Sequence, residues 1–258
     1  MKLALFTLTT AVALATTAAQ AGLVTWGTPT TISGDSDVST TGTFIGALNW
    51  GAGVDTVLGN PTTTVNGVTF TGDINAFPAG SSGPFSWTGG GGTAAFIASG
   101  HPGLSTSYQD LFRGWASPLN AGPRTLTLNG LTVGRTYQFQ WWSDVNGNVI
   151  TNTVQAIATA GNSVTLDSNT TDATGGLGQY VIGTFVADAA TQNIVFTKSN
   201  PNASYSGAVN AFQLRDLGIV PEPGTALFGL ALAGMTLARR RRATGRSPGL
   251  SFLGSPLH

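Results

Sequence analysis

The sequence predicts an all-β protein, a single jelly-roll or β-sandwich domain carried between two targeting ends. Three observations predict it. Only 9% of the 258 residues are charged, against about 25% in an average soluble domain. Apolar residues still make up 41%, enough for a core and too many for a disordered tail. Short alternating runs of β-forming residues recur between turn residues, as in an antiparallel sandwich.

The elements follow in chain order. Residues 1–21 read as a secretory signal peptide. Lys2 gives the positive start, a mostly apolar run covers 3–15, and Ala19-Gln20-Ala21 supplies the small residues at Ala19 and Ala21 that signal peptidase needs before Gly22. The apolar run is shorter than the roughly 20 residues that span a bilayer. Residues 22–218 form the predicted body. Asn66-Gly67 between β-formers is a hairpin signal, and strands are expected at 93–98, 124–128, 136–143, 149–158, 163–166, 179–186, 193–197 and 208–214. The glycines at 89–92 form a loop, because no Lys-Ser/Thr pair follows to hold a phosphate. Tyr108, Leu111, Phe112 and Trp115 fall at helical spacing after candidate caps Thr106 and Ser107, so one short helix is expected over an end of the sandwich.

Charge excludes one class of partner. Between residues 22 and 218 lie ten aspartates, no glutamate and five cations (Arg113, Arg124, Arg135, Lys198, Arg215), a balance of −5. A nucleic-acid surface needs a basic face to displace counterions. With no cysteine there is no disulfide framework and no thiolate metal site.

The remaining chemistry is sparse. His101 is the one histidine of the body and reads as a loop residue, so no metal or other cofactor is expected. Asp144-Val-Asn146-Gly-Asn148 opens like a calcium loop, but Val149 stands where glycine belongs and Gln155 where glutamate belongs. A hairpin turn through Asn146-Gly147 explains those residues, and a calcium held by Asp144 and loop carbonyls is the minor alternative. No motif pairs two aspartates for glycoside hydrolysis, and no nucleophile elbow accompanies His101. No catalytic residue is assigned. In 137–144, alternation puts Tyr137, Phe139 and Trp141 on one face and Gln138, Gln140, Trp142 and Asp144 on the other. An exposed indole flanked by amides and a carboxylate stacks on a sugar and bonds its hydroxyls. Trp142, Gln138, Gln140 and Asp144 are therefore the candidate ligand-binding residues; the alternative is that Trp142 lies covered.

Two resemblances add to this reading. Leu131-Thr-Val-Gly134-Arg-Thr-Tyr137 resembles the Leu-x-x-Gly-x-x-Tyr corner of exported sandwiches, including fibronectin type III domains, which implies that the Tyr137 hydroxyl bonds back to the backbone. At the other end, Pro221-Glu222-Pro223 precedes an apolar stretch to Ala238 and the cluster Arg239, Arg240, Arg241 and Arg242. Cationic flanks stay cytoplasmic. From Gly224 to Ala238 a helix is about 22 Å long, short of a ~30 Å hydrocarbon core but adequate for a transient anchor. Residues 219–242 resemble the PEP-CTERM sorting signal of Gram-negative bacteria. The resemblance implies that Pro221, Glu222 and Pro223 are recognised by the membrane enzyme exosortase, that the arginines are the cytoplasmic stop, and that the body folds like the jelly-roll ectodomains common in such proteins. Residues 243–258 form a short cytoplasmic tail, predicted disordered.

The expected function is that of a non-enzymatic cell-envelope or extracellular-matrix protein associated with exopolysaccharide. It crosses the inner membrane, is anchored there transiently with its C-terminus inside, and ends at the cell surface or beyond. Its processing partners are signal peptidase and exosortase. Two alternatives stay open: a carbohydrate-binding module built on an exposed Trp142, and a secreted glycan hydrolase with two aspartates in one cleft.

Overall fold

The computed structural model describes residues 22–50, 62–73, 79–89, 92–95, 101, 103–117, 122–145, 155–199 and 207–219. The signal peptide, the Pro221-Glu222-Pro223 segment with its arginines, the 243–258 tail and the Asn146-Gly147 turn lie outside them. The chain divides into two compact units, Met1–Gly218 and Ile219–His258. Among the described residues no helix is long and apolar enough to cross a membrane.

The strands are β1 (Thr25–Trp26), β2 (Thr30–Thr31), β3 (Thr43–Trp50), β4 (Thr63–Val65), β5 (Val68–Asp73), β6 (Gly80–Ser82), β7 (Phe85–Gly89) and β8 (Gly92–Ala95). After the short helix α1 (Thr106–Asp110) come β9 (Gly114–Ser117), β10 (Arg124–Asn129), β11 (Thr136–Ser143), β12 (Gln155–Ala160), β13 (Asn162–Asp167), β14 (Gln179–Val186), β15 (Thr191–Lys198) and β16 (Ala211–Gly218). A wide sheet runs β1-β14-β11-β16-β3-β5-β4, with β2 also on β14, and a narrower one runs β13-β12-β15-β10-β7-β6. Strands β8 and β9 form a separate ribbon. The two large sheets face each other across a core of Trp50, Phe85, Trp87, Leu126, Leu128, Phe139, Trp141, Ile194, Phe196 and Phe212. The protein is an all-β sandwich, as its sequence predicts.

Local chemistry explains the details. Asn66 and Gly67 have φ of 49° and 75°, the left-handed pair that a two-residue hairpin needs, and Val65 pairs with Val68 across it. Leu126 and Leu128 alternate inward along β10, and Val181 and Phe185 along β14. Strands β11 and β14 have the predicted bounds. Strand β3 is not foreseen, because Gly46 and Asn49 break its apolar pattern. Its neighbour β5 runs parallel to it, Leu48 beside Thr71, where the sequence reading expects an antiparallel sheet.

The helix differs from expectation. Ser105, not Thr106 or Ser107, caps it, its side chain accepting from the Tyr108 amide at 3.1 Å. The helix stops after one turn, and Trp115 belongs to β9, paired with Ala94. Gly114 just beyond Arg113 weakens a helix, and the β8–β9 ladder takes the segment instead. The Tyr137 corner forms: the Thr132 amide donates to the Tyr137 hydroxyl at 2.8 Å.

The wide sheet is covered on both sides. A second apolar cluster, on its outer face, joins Ala47, Trp142 and Ala211 to Ile32, Val38, Val65, Val68, Phe70, Leu104, Tyr108, Leu111 and Phe112. The cover is stitched on by Thr63 Oγ1 donating to the Ser107 carbonyl, Asn66 Nδ2 to the Val38 carbonyl and Asn49 Nδ2 to the Asp110 carbonyl. All eight residues of β11 are buried in consequence.

Candidate functional site

The four candidate ligand-binding residues share one face of β11, but that face is closed. Trp142, Gln140 and Asp144 are 0% exposed and Gln138 is 6% exposed. The expected sugar platform on Trp142 is therefore corrected: its ring packs edge-on to Phe70 at 5.6 Å beneath the cover. Alternation places the residues correctly and gives no information about what lies above them.

Most polar groups on this face meet the chain itself; among the described residues Thr136 Oγ1 and Gln213 Oε1 are buried without a hydrogen-bond partner. The Trp142 indole N–H donates to the Tyr108 hydroxyl at 2.9 Å, which donates onward to Asp37 Oδ2 at 3.2 Å. Burial, followed by the Asp37 charge, pushes the Tyr108 hydroxyl far above the ordinary phenol range. Asp37 also accepts from the Ser33 and Gly34 amides at 2.6 and 3.0 Å and from the Ser33 hydroxyl at 2.7 Å. Gln140 Nε2 donates to the Asp37 carbonyl at 2.7 Å, while its Oε1 accepts from the Ser39 amide and from Gln213 Nε2. Gln138 Oε1 accepts from the Ser39 hydroxyl, and Gln213 Nε2 also donates to the Ser39 carbonyl. Arg215 completes the row, donating to the carbonyls of Thr40, Thr41 and Gly42 at 2.7–2.9 Å. Amides and a guanidinium arranged to bind a polar ligand thus bind the backbone of residues 37–42.

At the end of β11 the fold gathers a second polar cluster. His101 Nε2 donates to Asp144 Oδ1 at 2.8 Å, with both side chains at 1% exposure or less. Asp144 Oδ2 accepts from the Gly178 amide at 2.8 Å, and the Asp144 amide donates to Asn210 Oδ1 at 2.7 Å. Asn210 Nδ2 donates to the Gly114 carbonyl at 3.1 Å, and its backbone joins Trp50 to Trp142. Gly178 is required here, since a Cβ would lie 2.0 Å from the Ser143 carbonyl oxygen. Burial alone pulls the His101 imidazole down, but the hydrogen bond and charge of Asp144, with the Gly175 carbonyl, raise it on balance. Burial raises the Asp144 carboxyl against the pull of His101 and the Gly178 amide. Sequence reasoning misses this pair because 43 residues separate its members. The available signal is a lone histidine in an apolar loop and an aspartate closing a strand buried on both faces.

Both Asp144 oxygens are thus engaged by groups of the chain itself. Among the described residues no three His, Cys, Asp or Glu side chains gather as metal ligands. Three carboxyls are raised chiefly by burial, and they stand apart in role: Asp144 with His101, Asp110 in an ion pair with Arg113 at 2.8 Å, and Asp167 accepting from the Asn169 amide. The geometry defines a closed β-sandwich whose buried polar groups hold its own loops.

Comparison with known proteins extends this to the C-terminus. The family model of the PEP-CTERM protein-sorting motif matches residues 220–242. The chain is therefore a β-sandwich protein bearing a PEP-CTERM sorting motif, and the motif implies export, exosortase processing and membrane-anchored sorting to the cell surface. No curated protein matches the chain. Among solved structures it is similar to an exo-β-1,3-galactanase from Phanerochaete chrysosporium with galactose, at 15% identity and a TM-score of 0.30, over 49% of this chain and 27% of that one. A variant of that enzyme with β-1,3-galactotriose matches at 17% identity and a TM-score of 0.30, over 57% and 32%. The chain thus spans about a third or less of the galactanase chains.

Proposed function

We propose that this protein is a non-catalytic structural component of the cell envelope or extracellular matrix. Signal peptidase cuts it before Gly22, the arginine cluster stops it in the inner membrane, and exosortase releases it at Pro221-Glu222-Pro223 into the exopolysaccharide layer. One observation supports a body without catalysis: the side chains with the chemistry to act on a ligand hold the protein's own backbone and loops. His101 and Asp144 bind each other in the interior, and Gln138, Gln140, Gln213 and Arg215 bind residues 37–42. Such a body resists opening and serves as delivered cargo.

Intact mass measurement on protein from cells with and without exosortase tests the reading. The expected product of normal cells begins at Gly22 and lacks the apolar segment and arginines. Without exosortase, or with Glu222→Ala, the product keeps both and stays in the membrane fraction. A mature product that retains residues 1–21, or one whose C-terminus is indifferent to exosortase, overturns it.

A further inference from the structure

The strand pairings sort the connections of the sandwich into two ends. At one end Ser143 lies beside Gln179 and Ala211 beside Asn49, and long connections join the strands. At the other, Thr136 lies between Val186 and Gly218, Thr43 lies beside Asp216, and Asn129 lies beside Thr191. Short turns join the strands there.

Every exposed large hydrophobic residue among the described residues of the first unit is at this short-turn end: Leu23 (56% exposed), Phe44 (45%), Val133 (62%) and Val186 (54%). They follow the strand order of the wide sheet. Leu23 leads into β1, Val186 closes β14, and Val133 is in the turn into β11, where the Gly134 amide donates to the Ala187 carbonyl at 2.7 Å. Beyond β16, Phe44 is in β3. Four strand spacings of about 4.8 Å make the row roughly 19 Å long. Isolated surface hydrophobics are ordinary, but their concentration at one end marks an interaction surface. Both routes to the targeting segments leave from this end as well. Gly218 terminates β16, and the Gly22 amide is bound to Asp188 Oδ1 at 3.1 Å.

We propose that this end is a lipid-facing surface, and that the row rests on the outer leaflet of the inner membrane while the chain is anchored. The proposal builds on the sorting reading. Gly218 closes the last strand of the sandwich, and the sorting segment begins within the next few residues of the sequence. Side chains such as Leu, Val and Phe gain by entering the headgroup boundary. The charges beside the row are balanced in sign: Arg135 pairs with Asp216 at 2.7 Å, Arg215 is bound to backbone carbonyls, and Asp188 is bound to the Gly22 amide. Among the described residues the surface carries no block of like charge for lipid headgroups to oppose.

The absence of cysteine makes the test direct, because one introduced thiol takes a fluorophore at one place. The full chain is reconstituted in phosphatidylethanolamine–phosphatidylglycerol vesicles containing headgroup nitroxide lipid, with bimane at Val133→Cys, Val186→Cys, Thr174→Cys or Leu230→Cys. Thr174 is exposed at the long-connection end, and Leu230 is in the apolar sorting segment. The expected result is loss of fluorescence at 133, 186 and 230 and none at 174. Quenching at 230 with 133 and 186 as bright as 174 overturns the lipid-facing surface and leaves the anchor intact. No quenching at 230 overturns both. Bimane at 133 shielded from lipid, with the unlabelled Val133→Cys protein forming a disulfide-linked dimer under a mild oxidant, overturns the lipid reading in favour of self-association.

Discussion

Along β11, Tyr137, Phe139 and Trp141 face the narrow sheet, whereas Gln138, Gln140 and Trp142 face the cover made by residues 32–42, the β4–β5 hairpin and α1. The inner face meets another sheet, and side-chain volume and apolar area decide its stability. The outer face meets irregular chain, whose amides and carbonyls need partners once buried. Glutamine and arginine supply them there. A polar row on a strand is therefore as consistent with a covering loop as with an external ligand, and only the covering contacts distinguish the two.

The two tryptophans provide the largest test of that difference. Trp141 packs on Phe196 at 5.2 Å, and its indole N–H has no hydrogen-bond partner among the described residues. Trp142 donates to Tyr108. Replacement of either by alanine is expected to cost about 3–5 kcal/mol in denaturant unfolding, from lost contacts and the cavity left behind. Replacement by phenylalanine separates the faces: Trp141→Phe loses volume alone, while Trp142→Phe also removes a donor from the Tyr108–Asp37 chain. Trp142→Phe should then be the more destabilising by about 1 kcal/mol. Equal costs would mean that the outer hydrogen bonds add nothing to packing.

Next in size is the pair at the end of the strand. Asp144→Ala leaves His101 buried without its partner, a loss of about 3–5 kcal/mol. The pH dependence has a defined sign. His101 is raised in the folded protein from its usual 6.5, and Asp144 from 3.8, so the folded state holds protons more tightly than the unfolded chain. The contribution of His101 is complete below pH 6.5 and is lost as pH rises through its raised value; that of Asp144 runs in the same direction from pH 3.8 upward. Thermal unfolding between pH 5 and 9 should show stability falling with pH in the native protein, and a flatter profile only when both groups are removed together, in the His101→Phe, Asp144→Asn double variant.

How much of this could be read in the sequence depends on the range of the interaction. The bounds of β11 and β14, the Asn66-Gly67 turn and the Tyr137 corner depend on neighbours a few residues away, and each is legible. Strand β3 is not, because its stretch from Gly46 to Trp50 is buried on both faces and lacks alternation. Trp142 fails for a related reason: its position on β11 is local information, but the cover above it comes from residues such as Tyr108, 34 positions away, and Phe70, which is more distant still. The His101–Asp144 pair has no local signature. The sorting motif is legible because it is a linear segment, matched as such over residues 220–242.

A smaller effect is expected from the strap over the outer face. Gln213 Nε2 donates to both Gln140 Oε1 and the Ser39 carbonyl, so Gln213→Ala removes one donor group and leaves two acceptors facing a buried space. The expected loss is about 1–3 kcal/mol. Hydrogen exchange should show faster opening at the Ser39 amide, which Gln140 holds at 3.0 Å, with the Phe139 and Trp141 amides changed only by the global loss. Acceleration spread equally over both faces would show that the strap and the sheet open as one unit.

The smallest effect belongs to a residue of the inner face that reaches its edge. The Tyr137 ring stacks on Phe185 at 5.6 Å, and its hydroxyl accepts from the Thr132 amide. Tyr137→Phe keeps the ring and removes only the acceptor, so about 1 kcal/mol should be lost. The Thr132 amide lies in the turn beside exposed Val133, where water can replace the hydroxyl, which holds the cost at the low end. A measured loss above 2 kcal/mol would mean that the corner orders the whole 130–136 turn, and that the inner face, like the outer one, relies on a polar contact to fix the chain above it.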